Sequence, residues 1–279
     1  MRHEKRKAWV PLFLLMVKYY DTIPTTTDFS AFAQLLLATQ QKNKKSVAIK
    51  DIDETLMIAT GYDSVERQLA LGSSAWFNGM VHQLPPREAA DYHQRFFALL
   101  TYYFEIQPHV NYALTEPCVP AELNALKQNN IAVLGLTARS APIAEITVQH
   151  LERQGIQFTH ENDERIVLDV QKHAGGTSPI YYKGIIFCAG LPKDECLDAF
   201  LKTPVGATLF ANVKRVSFMD DQRKYCDSMH RHLRHKGFFP VVTHYTHAEE
   251  NIPYASKAAI QEDMLKLAQD KGLTPMALP

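Results

Sequence analysis

Ser46-Val47-Ala48-Ile49-Lys50-Asp51-Ile52-Asp53-Glu54-Thr55-Leu56 decides how this chain is read. A short apolar run stops abruptly at two aspartates spaced i, i+2, with a threonine two positions further on. Alternate residues of a strand share a face, so Asp51 and Asp53 would project together if the strand continued. If the strand stops there, both carboxylates sit in the loop at its carboxyl end, where open α/β sheets assemble their sites. Acids held that close repel each other, and a divalent cation is the usual remedy. The stretch therefore predicts an enzyme built around Asp51 and Asp53.

The chain around it has 279 residues, enough for one sizeable domain and a smaller module. Lys plus Arg and Asp plus Glu balance at 30 each, so no nucleic-acid partner is expected. A composition 46% hydrophobic and 22% charged is that of a globular chain and excludes a disordered or fibrous one. The cysteines, Cys118, Cys188, Cys196 and Cys226, show neither a C-x-x-C pair nor a zinc spacing, and read most simply as buried thiols in a reducing compartment.

The amino terminus has two readings. Residues 2–7 are basic and Ala8 to Val17 is apolar, the outline of an export signal. Pro11 interrupts that run, and Lys18-Tyr19-Tyr20-Asp21 offers no small-residue cleavage site. Residues 1–27 are therefore read as a leader or strand of a cytoplasmic protein, with export through a signal-like segment as the alternative. The apolar stretch is too short to span a bilayer, and no transmembrane segment is expected elsewhere.

Asp28 can cap a helix carrying Phe29, Phe32, Leu35 and Leu36 at helical spacing. After the strand Ser46–Ile52, residues 61–119 turn helical and aromatic around the breaker Pro85-Pro86. An insert of this length exceeds a simple crossover and reads as a lid, extra packing helices being the alternative. A short helix over 120–130 leads to a second buried strand, Ile131–Leu136, which ends at Thr137-Ala138-Arg139-Ser140. A helix over 141–154 precedes a third predicted strand, Ile156–Phe158. Two further runs, 165–168 and 180–188, flank Gly175-Gly176 and suggest a hairpin.

Lys193 opens a helix, Arg215–Met219 is a buried strand ending in Asp220-Asp221, and Phe238–Thr243 is the last strand. The final helix, 256–271, stops at Gly272. Apolar strands alternating with helices predict an α/β fold, a mostly parallel sheet covered on both faces. Its core comprises residues 28–60 and 120–279, with the lid at 61–119. In such a sheet the strand ends carrying Asp51-x-Asp53, Thr137 and Asp220-Asp221 lie on one edge, with Lys193 beside them.

These four elements carry a resemblance. Asp51-Ile52-Asp53-Glu54-Thr55, Leu136-Thr137, Lys193 and Phe218-Met219-Asp220-Asp221 resemble, in that order, the motifs of the haloacid dehalogenase (HAD) superfamily of aspartate-nucleophile phosphotransferases. Leu71-Gly72-Ser73-Ser74-Ala75-Trp76, Gly184-Ile185-Ile186-Phe187 and Phe218 to Asp221 are similar to an uncharacterised bacterial branch of it. The resemblance runs from about Asp28 to the last helix. It implies a Rossmann-like HAD core with a helical cap after the first core strand.

The resemblance also implies roles that the residue chemistry makes sense of. Asp51 would attack phosphorus and form an aspartyl-phosphate, splitting one displacement into two. Asp53 would protonate the leaving oxygen and later activate water. Mg²⁺ would be held by the Asp51 carboxylate, the Asp53 main-chain carbonyl and Asp220, with Asp221 ligating through water or orienting a ligand. Thr137 would bond a phosphoryl oxygen and Lys193 would place positive charge there. The acid at Asp53, which the superfamily's dehalogenases lack, favours hydrolysis of a phosphomonoester, on a small molecule or on a protein. A phosphotransferase or mutase, and a binding or effector protein that keeps the fold without turnover, are the alternatives.

Several residues keep second readings. Lys183 competes with Lys193 for the third motif, but it precedes an apolar strand run rather than opening a helix. Arg139, two after Thr137, is similar to the Thr-x-Arg of some acid phosphatases and is a candidate substrate contact, a surface ion pair being the alternative. His230, His232 and His235 read as a solvated helix face; His244 and His247 could reach the site from the last strand, though their three-residue spacing is a weak signal for a metal.

Overall fold

The structure is a computed structural model that describes residues 22–41, 44–62, 66–170 and 177–274. A two-residue strand β1 (Thr25–Thr26) precedes helix α1 (Phe29–Ala38) and the core strand β2 (Ser46–Lys50). Strand β3 (Met57–Gly61), helices α2 (Ser74–His82) and α3 (Tyr92–Ile106) and strand β4 (Asn111–Leu114) follow. Then come α4 (Val119–Gln128), β5 (Ile131–Thr137), a 3₁₀ turn at Ala141–Ile143 and α5 (Ala144–Arg153). Strands β6 (Ile166–Val167), β7 (Ile180–Tyr182) and β8 (Ile185–Phe187) lead to α6 (Lys193–Leu201) and α7 (Pro204–Leu209). The described chain ends with β9 (Arg215–Asp220), α8 (Arg223–His235), β10 (Phe239–Tyr245), α9 (His247–Asn251) and α10 (Lys257–Lys271).

The main sheet runs β1-β10-β9-β2-β5-β8-β7-β6, parallel from β1 through β8 and antiparallel across β7 and β6. Every residue of β2 and β9 is buried, which is why both read as unbroken runs rather than alternating ones. Val47, Ile49, Leu134, Leu136, Val216 and Phe218 pack on one face against α6 and α8. Ala48, Val133 and Met219 pack on the other against α1, α4 and α5. The fold is thus the expected α/β sandwich, a mostly parallel sheet flanked by helices. Asp28 caps α1 as its spacing predicts, its carboxylate accepting the Ala31 N–H at 2.8 Å.

The runs 165–168 and 180–188 do pair antiparallel, as β6 with β7, but other details differ from the sequence expectations. Ile156–Phe158 forms no strand; just past it Thr159 bonds Val133 of β5 twice, its N–H donating to the Val133 carbonyl at 2.7 Å and its Oγ1 accepting the Val133 N–H at 2.9 Å. The place beside β5 belongs to β8, with Gly135 opposite Ile185. The run 180–188 is itself a hairpin, turned by Lys183 and Gly184, both at positive φ (46° and 79°) as a tight two-residue turn requires. Gly175-Gly176 lies outside the described residues, as do residues 1–21, whereas Thr25–Thr26 joins the sheet edge beside β10.

The insert over 61–119 holds α2 and α3, but it stands on an antiparallel ribbon, β3 with β4, that begins at Met57. Helix α10, within the predicted core 120–279, sends Met264 and Leu267 into the cluster of Leu71, Trp76, Leu99, Tyr102 and Ile106 formed by the insert. An amphipathic stripe tells that a face is covered, not what covers it. His230 is buried rather than solvated. Among the described residues no helix is long and apolar enough to cross a membrane.

Candidate active site at the carboxyl edge of the sheet

Register brings the site together. Lys50, the last residue of β2, lies opposite Gly135 of β5 and Met219 of β9, so three strands end nearly level. The Asp51 N–H extends the pairing by donating to the Met219 carbonyl at 3.0 Å. Phe187 of β8 lies opposite Thr137, and the loop after it brings in Lys193 at the start of α6.

The Lys193 ammonium donates to Asp51 Oδ1 at 2.5 Å and to Asp220 Oδ2 at 2.7 Å. Carboxylate oxygens of Asp51, Asp220 and Asp221 all lie within 4.8 Å of one another. The chain turns back sharply after Asp53 because Glu54 adopts φ 56°, and this returns Thr55 to the cluster. Thr55 Oγ1 accepts the Asp221 N–H at 3.1 Å and donates to Asp51 Oδ2 at 3.4 Å. Asp220 Oδ1 accepts the Gln222 N–H at 2.8 Å, and His244 Nε2 lies 2.9 Å from the Asp221 carbonyl oxygen. Lys183 stands apart in the β7–β8 turn, beside Asp163.

Asp53 faces a different partner. Its Oδ2 accepts Arg139 Nε at 2.9 Å and its Oδ1 accepts Arg139 Nη2 at 2.8 Å, a bidentate pair. Its carboxylate is outside the Asp51–Asp220–Asp221 group. Thr137, fully buried, accepts the Arg139 N–H on its Oγ1 at 3.1 Å. Glu54 turns toward the insert, its carboxylate accepting the Ser74 N–H at 3.1 Å at the start of α2.

The electrostatics follow from burial. Removal from water, reinforced by Asp220 and Asp53 and opposed by Lys193, pushes the Asp51 carboxyl up to about 7. Asp221 is driven well above the carboxylate range by burial and by Asp220 and Asp51. Burial and Asp53 raise Glu54 to about 8. Burial opposes charge on Lys193, but Asp220 and Asp51 outweigh it and hold the ammonium far above its ordinary range. Three acids share one ammonium in a water-poor space, so burial and mutual repulsion oppose ionising all of them. Their hard oxygen donors fit a divalent cation of the Mg²⁺ type, which would favour the ionised forms.

Glu54, Thr55, Tyr112 and His244 join the site or its support without having been singled out as site residues from the sequence. Glu54 and Thr55 had a local signal, their place inside the quoted stretch, and His244 its place at the end of the last predicted strand. Tyr112 reaches the edge through tertiary packing.

Fold and site together define an α/β protein with a mostly parallel sheet and an acidic centre at the carboxyl edge of that sheet. Residues 28–271 match the family described as "Protein of unknown function (DUF2608)", and the chain belongs to it. No curated protein matches the chain. Among solved structures it is similar to the HAD domain of the effector protein Lem4 of Legionella pneumophila, an inactive mutant, at 12% identity, covering 83% of this chain and 100% of that one, with a TM-score of 0.35. It is also similar to the Legionella pneumophila effector Ceg4 at 13% identity, covering 76% of this chain and 91% of that one, with a TM-score of 0.36. Likenesses of this size carry no information on activity or substrate.

Proposed function

We propose that the chain is a phosphohydrolase that cleaves a phosphomonoester through an aspartyl-phosphate on Asp51. The observation that carries this reading is the clustering of the Asp51, Asp220 and Asp221 carboxylates, two of them bonded to the Lys193 ammonium, from three separate segments of chain. A purely structural ion pair needs one acid per base, and burying surplus carboxylates without function is costly.

In the first step an Asp51 oxygen bonds to phosphorus, the ester P–O bond breaks, and Asp53 gives its proton to the departing oxygen. In the second, Asp53 takes a proton from water, the hydroxyl attacks phosphorus, and the acyl phosphate bond breaks to return Asp51 and release phosphate. Lys193 keeps Asp51 from turning away and offers its charge to the phosphoryl group, and the Thr137 hydroxyl is the neutral donor at the same edge. Repulsion between a carboxylate and a phosphate oxygen is about 4 kcal/mol per charge pair at ~4 Å and an effective dielectric near ~20. Mg²⁺, held by Asp51, Asp220 and Asp221 with the Asp53 carbonyl as a further donor, would supply the charge that offsets this repulsion.

Steady-state release of phosphate from p-nitrophenyl phosphate and a panel of phosphomonoesters, with and without Mg²⁺, tests the proposal. Mg²⁺-dependent release supports it, and phosphate appearing instead on an added acceptor alcohol identifies a phosphotransferase. No turnover on the whole panel, with no heat of Mg²⁺ binding in calorimetry, would establish a non-catalytic binding protein.

A further inference from the structure

Arg139 was a candidate substrate contact, but its surroundings suggest another use. Only 2% of its side chain is exposed, against 15% for Asp53, so of the two it is Asp53 that a ligand can meet. Each guanidinium nitrogen is engaged. Nε and Nη2 grip the two Asp53 oxygens, Nη1 donates to Thr147 Oγ1 at 3.0 Å, and Nη2 also reaches Tyr112 Oη at 2.9 Å. With four of its five N–H donors engaged and its side chain almost wholly buried, the fork has little to offer an incoming phosphoryl group, and bidentate contact fixes the plane of the carboxylate it holds.

The supports of Arg139 are themselves anchored. The Thr147 hydroxyl donates to the Ile143 carbonyl at 2.7 Å. Tyr112, on the lid ribbon, stacks on His150 with ring centroids 4.3 Å apart and donates its hydroxyl to Gln107 Oε1. Gln107, just past α3, donates from Nε2 to the Gly72 carbonyl at 3.4 Å. Gly72 begins the turn into α2 at φ 85°, where an added Cβ would lie 2.9 Å from Val110. Two residues on, the Ser74 N–H is held by Glu54, the neighbour of Asp53. The same lid turn is therefore tied to the Asp51–Thr55 loop twice, once directly and once through Arg139.

We propose that Arg139 is a positioning residue: it sets the Asp53 carboxylate for acid–base work and, through Tyr112 and Gln107, makes that setting depend on the seating of the lid turn Gly72–Ser74. The inference rests on the phosphohydrolase reading and assigns a lid-to-site linkage within it.

The full-length protein with Mg²⁺ tests this with two esters. p-Nitrophenolate leaves without a proton, whereas an alkoxide such as that of glycerol phosphate needs one. Arg139→Lys keeps the charge and loses the fork, and Tyr112→Phe removes one hydroxyl. In both variants kcat/KM for the alkyl ester should fall about 10–100-fold, and that for p-nitrophenyl phosphate by much less. Asp53→Asn should show the same split, and adding Arg139→Lys to it should cost nothing further. Equal losses on both esters, or a loss that multiplies that of Asp53→Asn, would overturn the positioning role.

A crystal structure of Arg139→Lys gives a readout independent of turnover. The Asp53 carboxylate should be displaced while Asp51, Lys193 and Asp220 stay in place, and an unmoved Asp53 counts against the role. Wild-type protein inactive on both esters would overturn the phosphohydrolase reading itself, an outcome separate from either variant result.

Discussion

The Lys50 ammonium lies 4.3 Å from the centroid of the Phe32 ring and 5.2 Å from that of Phe29, with no hydrogen-bond acceptor among the described residues. It is fully buried one residue before Asp51, on the sheet face covered by α1. Burial lowers its pKa from 10.5 to about 7. A shift of that size corresponds to about 4–5 kcal/mol, and cation–π contact returns about 2 kcal/mol at most, so the ammonium is a net liability. Because the folded pKa is the lower one, the unfolded chain binds more protons between the two values, and stability rises with pH from about 7 toward 10.5. Lys50→Met should raise stability by about 1–3 kcal/mol at pH 6 and remove that slope. Urea midpoints at pH 6 and 9.5 check it; identical slopes in the two proteins would refute the account.

Lys193 is the opposite case, a buried charge with two partners. Lys193→Met leaves Asp51, Asp220 and Asp221 facing one another, and breaking a buried pair typically costs about 3–5 kcal/mol. The melting temperature at pH 8 should drop by about 10 °C. The drop should shrink at pH 5.5, where the raised carboxyls take up protons. A drop that does not change with pH would contradict the assigned charges.

Asp51→Asn should lower turnover by about 10⁴-fold or more, because an amide is a poor nucleophile. Asp53→Asn should slow it by about 10²–10⁴-fold and let a phosphorylated Asp51 accumulate. Intact-mass and peptide mass spectrometry locate the phosphoryl group; finding it on any other residue would exclude the covalent mechanism.

Mg²⁺ at about 100 times its Kd should stabilise the wild type by about 2.7 kcal/mol. Asp220→Asn, which removes one of the clustered carboxylates, should lose most of that gain. Thermal melts at stepped Mg²⁺ concentrations measure both, and an undiminished shift in the variant would place the cation elsewhere.

His150 stays neutral because burial and the nearby Arg139 and Arg153 lower its pKa from 6.5 to about 3. Both ring nitrogens lack a hydrogen-bond partner among the described residues. The unfolded chain binds a proton that the folded one refuses, so stability is lost as pH falls from 6.5 toward 3. His150→Phe keeps the stack on Tyr112 and should be less acid-sensitive, its advantage growing below pH 6.5 in acid-unfolding curves. A constant difference across that range would show that the imidazole does not titrate on unfolding.

Much of this molecule was legible in the chain. The continuous apolar runs of β2, β5 and β9 end in acids or threonine, and a strand's direction alone puts those ends on one edge of a parallel sheet. Lys193 was legible for the same reason, as the first residue of a helix that leaves that edge. Local spacing and capping likewise identified α1 and α10 as helices. What local pattern cannot contain is which surface a face meets. Ile156–Phe158 has the composition of a strand but lost its place beside β5 to β8, a competition settled by packing between distant segments. Helix α10 shows the same apolar stripe whether it covers the sheet or, as here, the helices of the insert.

The Asp51-x-Asp53 spacing specified two neighbouring carboxylates, because residue order alone sets their separation along the backbone. Only the tertiary structure gave them different partners, Lys193 for Asp51 and Arg139 for Asp53. Those partners lie 142 and 86 residues away. Side-chain pairing at such range depends on how the helices and the 61–119 insert pack against the sheet, and no short-range periodicity encodes that.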